Sequence, residues 1–274
     1  MLQYETIQET VAFIDRRTDG FRPEVAIVLG SGLGKLAKRI EVEHRIPYGE
    51  IVHFPESTVK GHKGELILGH LGGRRVVAMS GRFHYYEGYS IQQVVFPIYV
   101  MKFLGARTIL LSNAAGGMKE GMAVGDLMLI NDHIYMQPAH PLTGPNDERL
   151  GPRFPDMFDC YSPRLIEAAR DILRTQGEDW HEGVYVGVQG PTFETRAEYA
   201  LFHQMGGHAV GMSTVPEVVC ARHGGLEVFA VSVITDLGWP PGAMDEISHD
   251  DVVQAATGAE PRMTALVEAL LERI

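Results

Sequence analysis

Nine consecutive residues, Gly81-Arg82-Phe83-His84-Tyr85-Tyr86-Glu87-Gly88-Tyr89, hold a permanent cation, a titratable imidazole and three phenols between glycines. A guanidinium fork fits the oxygens of an anion, and an imidazole changes charge near neutral pH. Arg beside His is costly to bury without an anionic partner. The segment therefore reads as an anion-binding loop, against the plainer alternative of an aromatic loop packed on a sheet. Gly30-Ser31-Gly32-Leu33-Gly34 follows an apolar run and precedes a helix, where free N–H groups can meet an anion or simply close a tight turn. It fails the dinucleotide fingerprint at Lys35, the P-loop at Leu36 and the serine-hydrolase elbow at Leu29 and Leu33.

Three further segments end strands with small, aromatic or hydroxyl residues. Ser112-Asn113-Ala114-Ala115-Gly116-Gly117 would let a ligand approach the backbone. Gly190-Pro191-Thr192-Phe193-Glu194-Thr195 sets an aromatic ring beside a carboxylate, and Val210-Gly211-Met212-Ser213-Thr214-Val215-Pro216-Glu217 sets hydroxyls at a helix start. The last has a plain reading as an N-cap.

The elements that carry these loops alternate. Tyr4, Ile7, Val11 and Ile14 predict an amphipathic helix ending near Asp19-Gly20. Val25 to Leu29 predicts a buried strand, Leu66 to Leu71 with Arg75 to Ser80 a hairpin, and Ser90 with Gln93 a capping box for a helix to about Leu104. Strands are expected at Thr108 to Ser112, Leu127 to Ile130, Val184 to Val188, Ala209 to Met212 and Val228 to Ile234. Pro163 and Ser248 start two more helices, and 138–155 is a long Pro/Gly/Asn/Asp loop. The order implies an α/β fold: a single domain, residues 1–274, with a central mixed β-sheet flanked by helices.

Composition bounds the partners. Of 274 residues, 45% are hydrophobic, enough for a sizeable core, and the formal charge of −11 argues against nucleic acid and anionic membranes. The twelve histidines lack metal-ligand spacing, and Cys160 and Cys220 are unpaired by pattern. No signal peptide or membrane-length apolar run is evident, so the expectation is a soluble, cytoplasmic protein.

Taken together and in this order, GSGLG, VKGHKGE (Val59 to Glu65), GRFHYYEGY, SNAAGG, GPNDER (Gly144 to Arg149), GPTFET and GMSTVPE resemble the trimeric class of purine nucleoside phosphorylases. The resemblance runs from Gly30 to His249, and GRFHYYEGY and GPTFET are its most specific parts. It implies phosphorolysis of purine nucleosides, inosine and guanosine above all, to free base and α-D-ribose 1-phosphate. Orthophosphate would be a co-substrate, with no cofactor and no metal. By the same resemblance phosphate meets Ser31, His62, Arg82, His84, Ser213 and the N–H of Ala114. Ribose meets Tyr86, Met212 and His249, and Phe154 reaches in from a neighbouring subunit of a homotrimer. Phe193 stacks on the purine and Glu194 accepts from N1–H, while His84, Glu194 and Asp236 carry the catalysis.

Asp236 departs from the family, whose 6-oxopurine members usually have asparagine there. Either Asp236 is protonated, donates to N7 and leaves a 6-oxopurine enzyme, which retention of Glu194 favours, or selectivity has broadened toward 6-aminopurines. The rival functions are a 5′-methylthionucleoside phosphorylase, opposed by His249, a nucleoside hydrolase, opposed by the phosphate set, and a non-catalytic purine or phosphate sensor.

Overall fold

The apolar run at Val25–Leu29 is a strand with every side chain buried, as a run without polar alternation requires when both faces are covered. This computed structural model describes residues 3–30, 34–56, 63–243 and 246–274. In chain order the main elements are α1 (Tyr4–Arg17), β1 (Val25–Leu29), β2 (Glu41–Pro47), β3 (Glu65–Leu71), β4 (Arg74–Ser80) and α2 (Ile91–Leu104). β5 (Thr108–Gly117), β6 (Leu127–Tyr135), α3 (Pro163–Gln176) and β7 (Trp180–Gly187) follow. The chain ends with α4 (Arg196–Gln204), β8 (Ala209–Gly211), α5 (Val215–His223), β9 (Glu227–Leu237) and α6 (His249–Leu271).

Local chemistry sets the boundaries. Ser90 accepts from the Gln93 N–H at 3.3 Å to cap α2, and Gly105 closes it. Ser162 caps α3, whose first residue is Pro163, and Gly177 ends it in the left-handed region where glycine is unstrained. Ser248 caps α6, so His249 is the first residue of that helix.

One mixed sheet runs β2-β3-β4-β1-β5-β8-β7-β6-β9, and a second pairing of β5 with β9 closes its last five strands into a ring. β1 lies parallel to β4 and β5, whereas β3 and β4 form the hairpin expected from Gly72-Gly73. The ring closure was not among the sequence expectations, nor was β2. The latter is a mostly exposed edge strand of alternating charge with no apolar run to announce it.

Where β9 pairs with β5, the register slips: Ala115 faces Ile234, but Gly116 faces Asp236. Thr235 is the extra residue of this bulge. Alternation along a regular strand sends neighbours to opposite faces, and the bulge lets Thr235 and Asp236 line the same cavity.

Candidate active site

A cavity of about 480 Å³ opens at the ends of β5 and β9, within the size range of small-molecule sites. Its walls come from the segments singled out by their chemistry, with Arg82, His84 and Tyr86, Ala114, Phe193 and Glu194, and Met212 and Ser213, together with Asp236 and His249, which the family resemblance adds. Ser31 and His62 lie outside the described residues. Phe154 is in none of these walls. It is 87% exposed in a separate depression with Tyr135 and Pro155.

At one end Arg82 is buried, with 1% of its surface exposed. Its Nε donates to Glu217 Oε1 at 3.2 Å, and Nη2 lies 3.0 Å from Oε2. Nη1 donates to the Ser112 carbonyl at 2.6 Å and to Ser213 Oγ at 3.2 Å. A two-point clamp of this kind fixes the plane of the fork. Glu217 sits in the first turn of α5, also buried, and its Oε2 accepts from the Thr214 N–H at 3.1 Å. Thr214 has φ of 66°, a region that threonine rarely adopts. Asn113 Nδ2 donating to Thr214 Oγ1 at 2.9 Å helps hold that conformation. Glu217 was not among the expected site residues, because a glutamate in a first helical turn has an ordinary explanation in the helix dipole.

His84 is also buried, stacked on the Tyr86 ring with centroids 4.7 Å apart. Glu87 Oε1 accepts from the His84 backbone N–H at 2.7 Å and lies 2.9 Å from Nδ1. Burial lowers the imidazole below its ordinary range, and the Arg82 charge adds to this against the pull of Glu87. The neutral ring then carries its hydrogen on Nδ1 toward Glu87, which makes Nε2 the acceptor. Burial also pushes the Tyr86 phenol up to about 12, so it stays protonated.

The other end is more open. Phe193 is 38% exposed and Pro191 stands beside it. Glu194 is raised to about 7 by burial, with the nearby Asp236 charge adding to the shift. Its buried Oε1 has no hydrogen-bonding partner among the described residues. Asp236 is engaged on both oxygens: Oδ1 accepts from Thr235 Oγ1 at 2.9 Å and Oδ2 from the Tyr199 hydroxyl at 2.8 Å. Tyr199 projects from α4 and is another residue that sequence reasoning missed. Two glycines make its place: a Cβ on Gly116 would stand 2.3 Å from its hydroxyl, and one on Gly238 within 2.0 Å of its ring. The described residues hold no cluster of three or more His, Cys, Asp or Glu able to bind a metal ion.

One end of the cavity is thus equipped for a compact anion and the other for a flat heterocycle with hydrogen-bonding edges. Residues 24–272 match the family model described as "Phosphorylase superfamily". The chain is 48% identical over 253 residues to "Purine nucleoside phosphorylase 1" of Geobacillus stearothermophilus, covering 92% of each chain. It is 44% identical to the purine nucleoside phosphorylase of Rattus norvegicus, covering 99% of this chain and 96% of the relative. Among solved structures it superposes on the Schistosoma mansoni purine nucleoside phosphorylase in complex with adenosine. That match has a TM-score of 0.93 and 40% identity over 99% of this chain and 98% of the other. A schistosoma purine nucleoside phosphorylase in complex with hypoxanthine gives a TM-score of 0.94, also at 40% identity.

Proposed function

The chain belongs to the phosphorylase superfamily, among the purine nucleoside phosphorylases, and from that premise we propose how its cavity works. The reaction is reversible phosphorolysis of inosine, guanosine and their deoxy counterparts, giving purine base and α-D-ribose 1-phosphate in purine salvage. The C1′–N9 bond stretches until the sugar resembles an oxocarbenium ion and negative charge spreads into the purine. Orthophosphate then bonds to C1′ from the opposite face. No covalent nucleophile from the protein is required. Positioning and fixed charges carry the rate.

The observation that carries this reading is the shape of the charge in the cavity: a clamped guanidinium and a neutral imidazole at one end, two carboxyl groups beside an aromatic ring at the other. Arg82, His84, Ser213 and the Ala114 N–H take phosphate, together with Ser31 and His62. Neutral His84 accepts the hydrogen of monohydrogen phosphate at Nε2 and leaves the opposite oxygen to attack. Tyr86, Met212 and His249 hold the ribose. Phe193 stacks on the base and ionised Glu194 accepts from N1–H. The two hydroxyl bonds to Asp236 support its acceptor form at the base edge over the protonated donor to N7 that the resemblance suggests. A carboxylate facing N1–H disfavours adenine, whose N1 is an acceptor.

The same reading makes the protein a cytoplasmic homotrimer. Phe154, held on the surface with Phe158, would complete the ribose pocket of the adjacent subunit. None of the described helices is long and apolar enough to cross a membrane. Parallel assays with orthophosphate at about pH 8 test the substrate class. Inosine and guanosine should exceed adenosine in kcat/KM by at least about tenfold; equal values for adenosine would overturn it.

A further inference from the structure

Asp236 and Glu194 face the same base edge with different hydrogen-bond environments. Asp236 already accepts two hydroxyl bonds, from Tyr199 at 2.8 Å and Thr235 at 2.9 Å. Burial drives the Tyr199 phenol far above its ordinary range, so it remains a donor. Glu194 also lies against the Tyr199 hydroxyl, which engages it less than it engages Asp236, and its buried Oε1 has no hydrogen-bonding partner among the described residues. A proton added to this end therefore displaces existing bonds if it goes to Asp236, and none at Oε1 if it goes to Glu194.

The two placements are complementary to different bases. With Glu194 ionised, the edge accepts N1–H of a 6-oxopurine. With Glu194 neutral and Asp236 accepting, the edge donates to N1 and accepts from a 6-amino group, which is the pattern of adenine. We propose that Tyr199 is the specificity-determining residue of the base subsite: its phenol holds Asp236 as an acceptor, so that the proton gained on acidification goes to Glu194 and admits 6-aminopurine nucleosides. This rests on the phosphorylase reading above and names a second substrate class for the same site.

The surroundings of Glu194 are consistent with one titration dominating. It faces Asp236 on β9, Tyr199 and Glu198 on α4, and Tyr185 on β7. Glu198 is occupied at the start of α4 by Thr195, and Tyr185 is buried and protonated. His203 on α4 turns instead to the Met118 carbonyl and the Trp239 ring. The room for Tyr199 is built in, since side chains at Gly116 or Gly238 would displace it.

The test is the ratio of kcat/KM for inosine to that for adenosine at about pH 8 and about pH 6. Protonation of phosphate or His84 affects both nucleosides alike and cancels in the ratio. In the unaltered protein the ratio should fall at least about tenfold on acidification, the scale of one hydrogen bond to a charged group. In Tyr199→Phe it should stay high at pH 6, because Asp236 then competes for the proton. Asp236→Asn should also flatten the pH dependence of the ratio, whatever it does to the absolute rates, and Tyr199→Phe should add nothing to the ratio in that background. Lost packing would lower both activities together and leave the ratio unmoved. A ratio independent of pH in the unaltered protein, or unchanged by Tyr199→Phe at both pH values, would overturn the proposal. Absence of phosphate-dependent base release from inosine would instead overturn the phosphorylase reading itself.

Discussion

The two ends of the cavity handle charge in opposite ways. At the phosphate end the described polar groups are buried and clamped: the Arg82 cation on Glu217 and the Ser112 carbonyl, neutral His84 on Glu87. At the base end an aromatic ring is partly open to solvent, and a buried carboxyl sits near neutrality beside a second acid. The phosphate end is preorganised, so little reorganisation accompanies the reaction there. The base end keeps a movable proton, which suits recognition of a heterocycle whose edges differ by donors and acceptors.

Breaking the clamped end should have the largest effect. Arg82→Ala is expected to lower kcat/KM for phosphate by at least about 10³-fold and to lower Tm as well, because Glu217 is left buried without its cation. Calorimetry alongside kinetics separates the two: adding Glu217→Leu should recover Tm without recovering activity. At the open end, Glu194→Ala should reduce kcat/KM for inosine by about 10²-fold, the loss of a hydrogen bond to a charged group and the desolvation it had offset. Unchanged turnover of inosine would remove Glu194 from base recognition.

A smaller change sharpens the contrast. Glu217→Gln keeps the size of the side chain but loses the charge and one of the two acceptor oxygens that orient Arg82. KM for phosphate should rise about tenfold while KM for inosine stays within about twofold; equal changes in both would mean that the ends are not independent. The smallest effect is on stability. Glu194 titrates near 7 in the folded protein, above its ordinary 4.5. Its contribution to stability is therefore fully present below about pH 4.5 and lost as pH rises through about 7. Glu194→Gln should melt a few degrees higher than the unaltered protein at about pH 8, with no such gain near pH 5. A melting difference of equal size at both pH values would contradict the raised carboxyl.

How much of this was legible depended on whether a residue works alone or through a partner. Arg82, His84, Tyr86, Phe193 and Glu194 stand in distinctive segments at strand ends, and all reach the cavity. Glu217 and Tyr199 were silent, because a first-turn glutamate and a helical aromatic each have an ordinary structural use. The pair Gly116 and Gly238 was the available signal for Tyr199, but its meaning depends on a contact between distant segments. The strands with apolar runs were readable, whereas β2 was hidden by its charged edge. The bulge at Thr235 leaves no mark in the period of β9, yet it is what turns Asp236 into the cavity.

The two ends must act on one substrate pair, and base release from inosine measured against orthophosphate concentration tests that most directly. Release should be absent without phosphate, saturate as phosphate is added, and yield one ribose 1-phosphate per hypoxanthine. Release at an undiminished rate in phosphate-free buffer, with free ribose as product, would contradict it and make the protein a hydrolase.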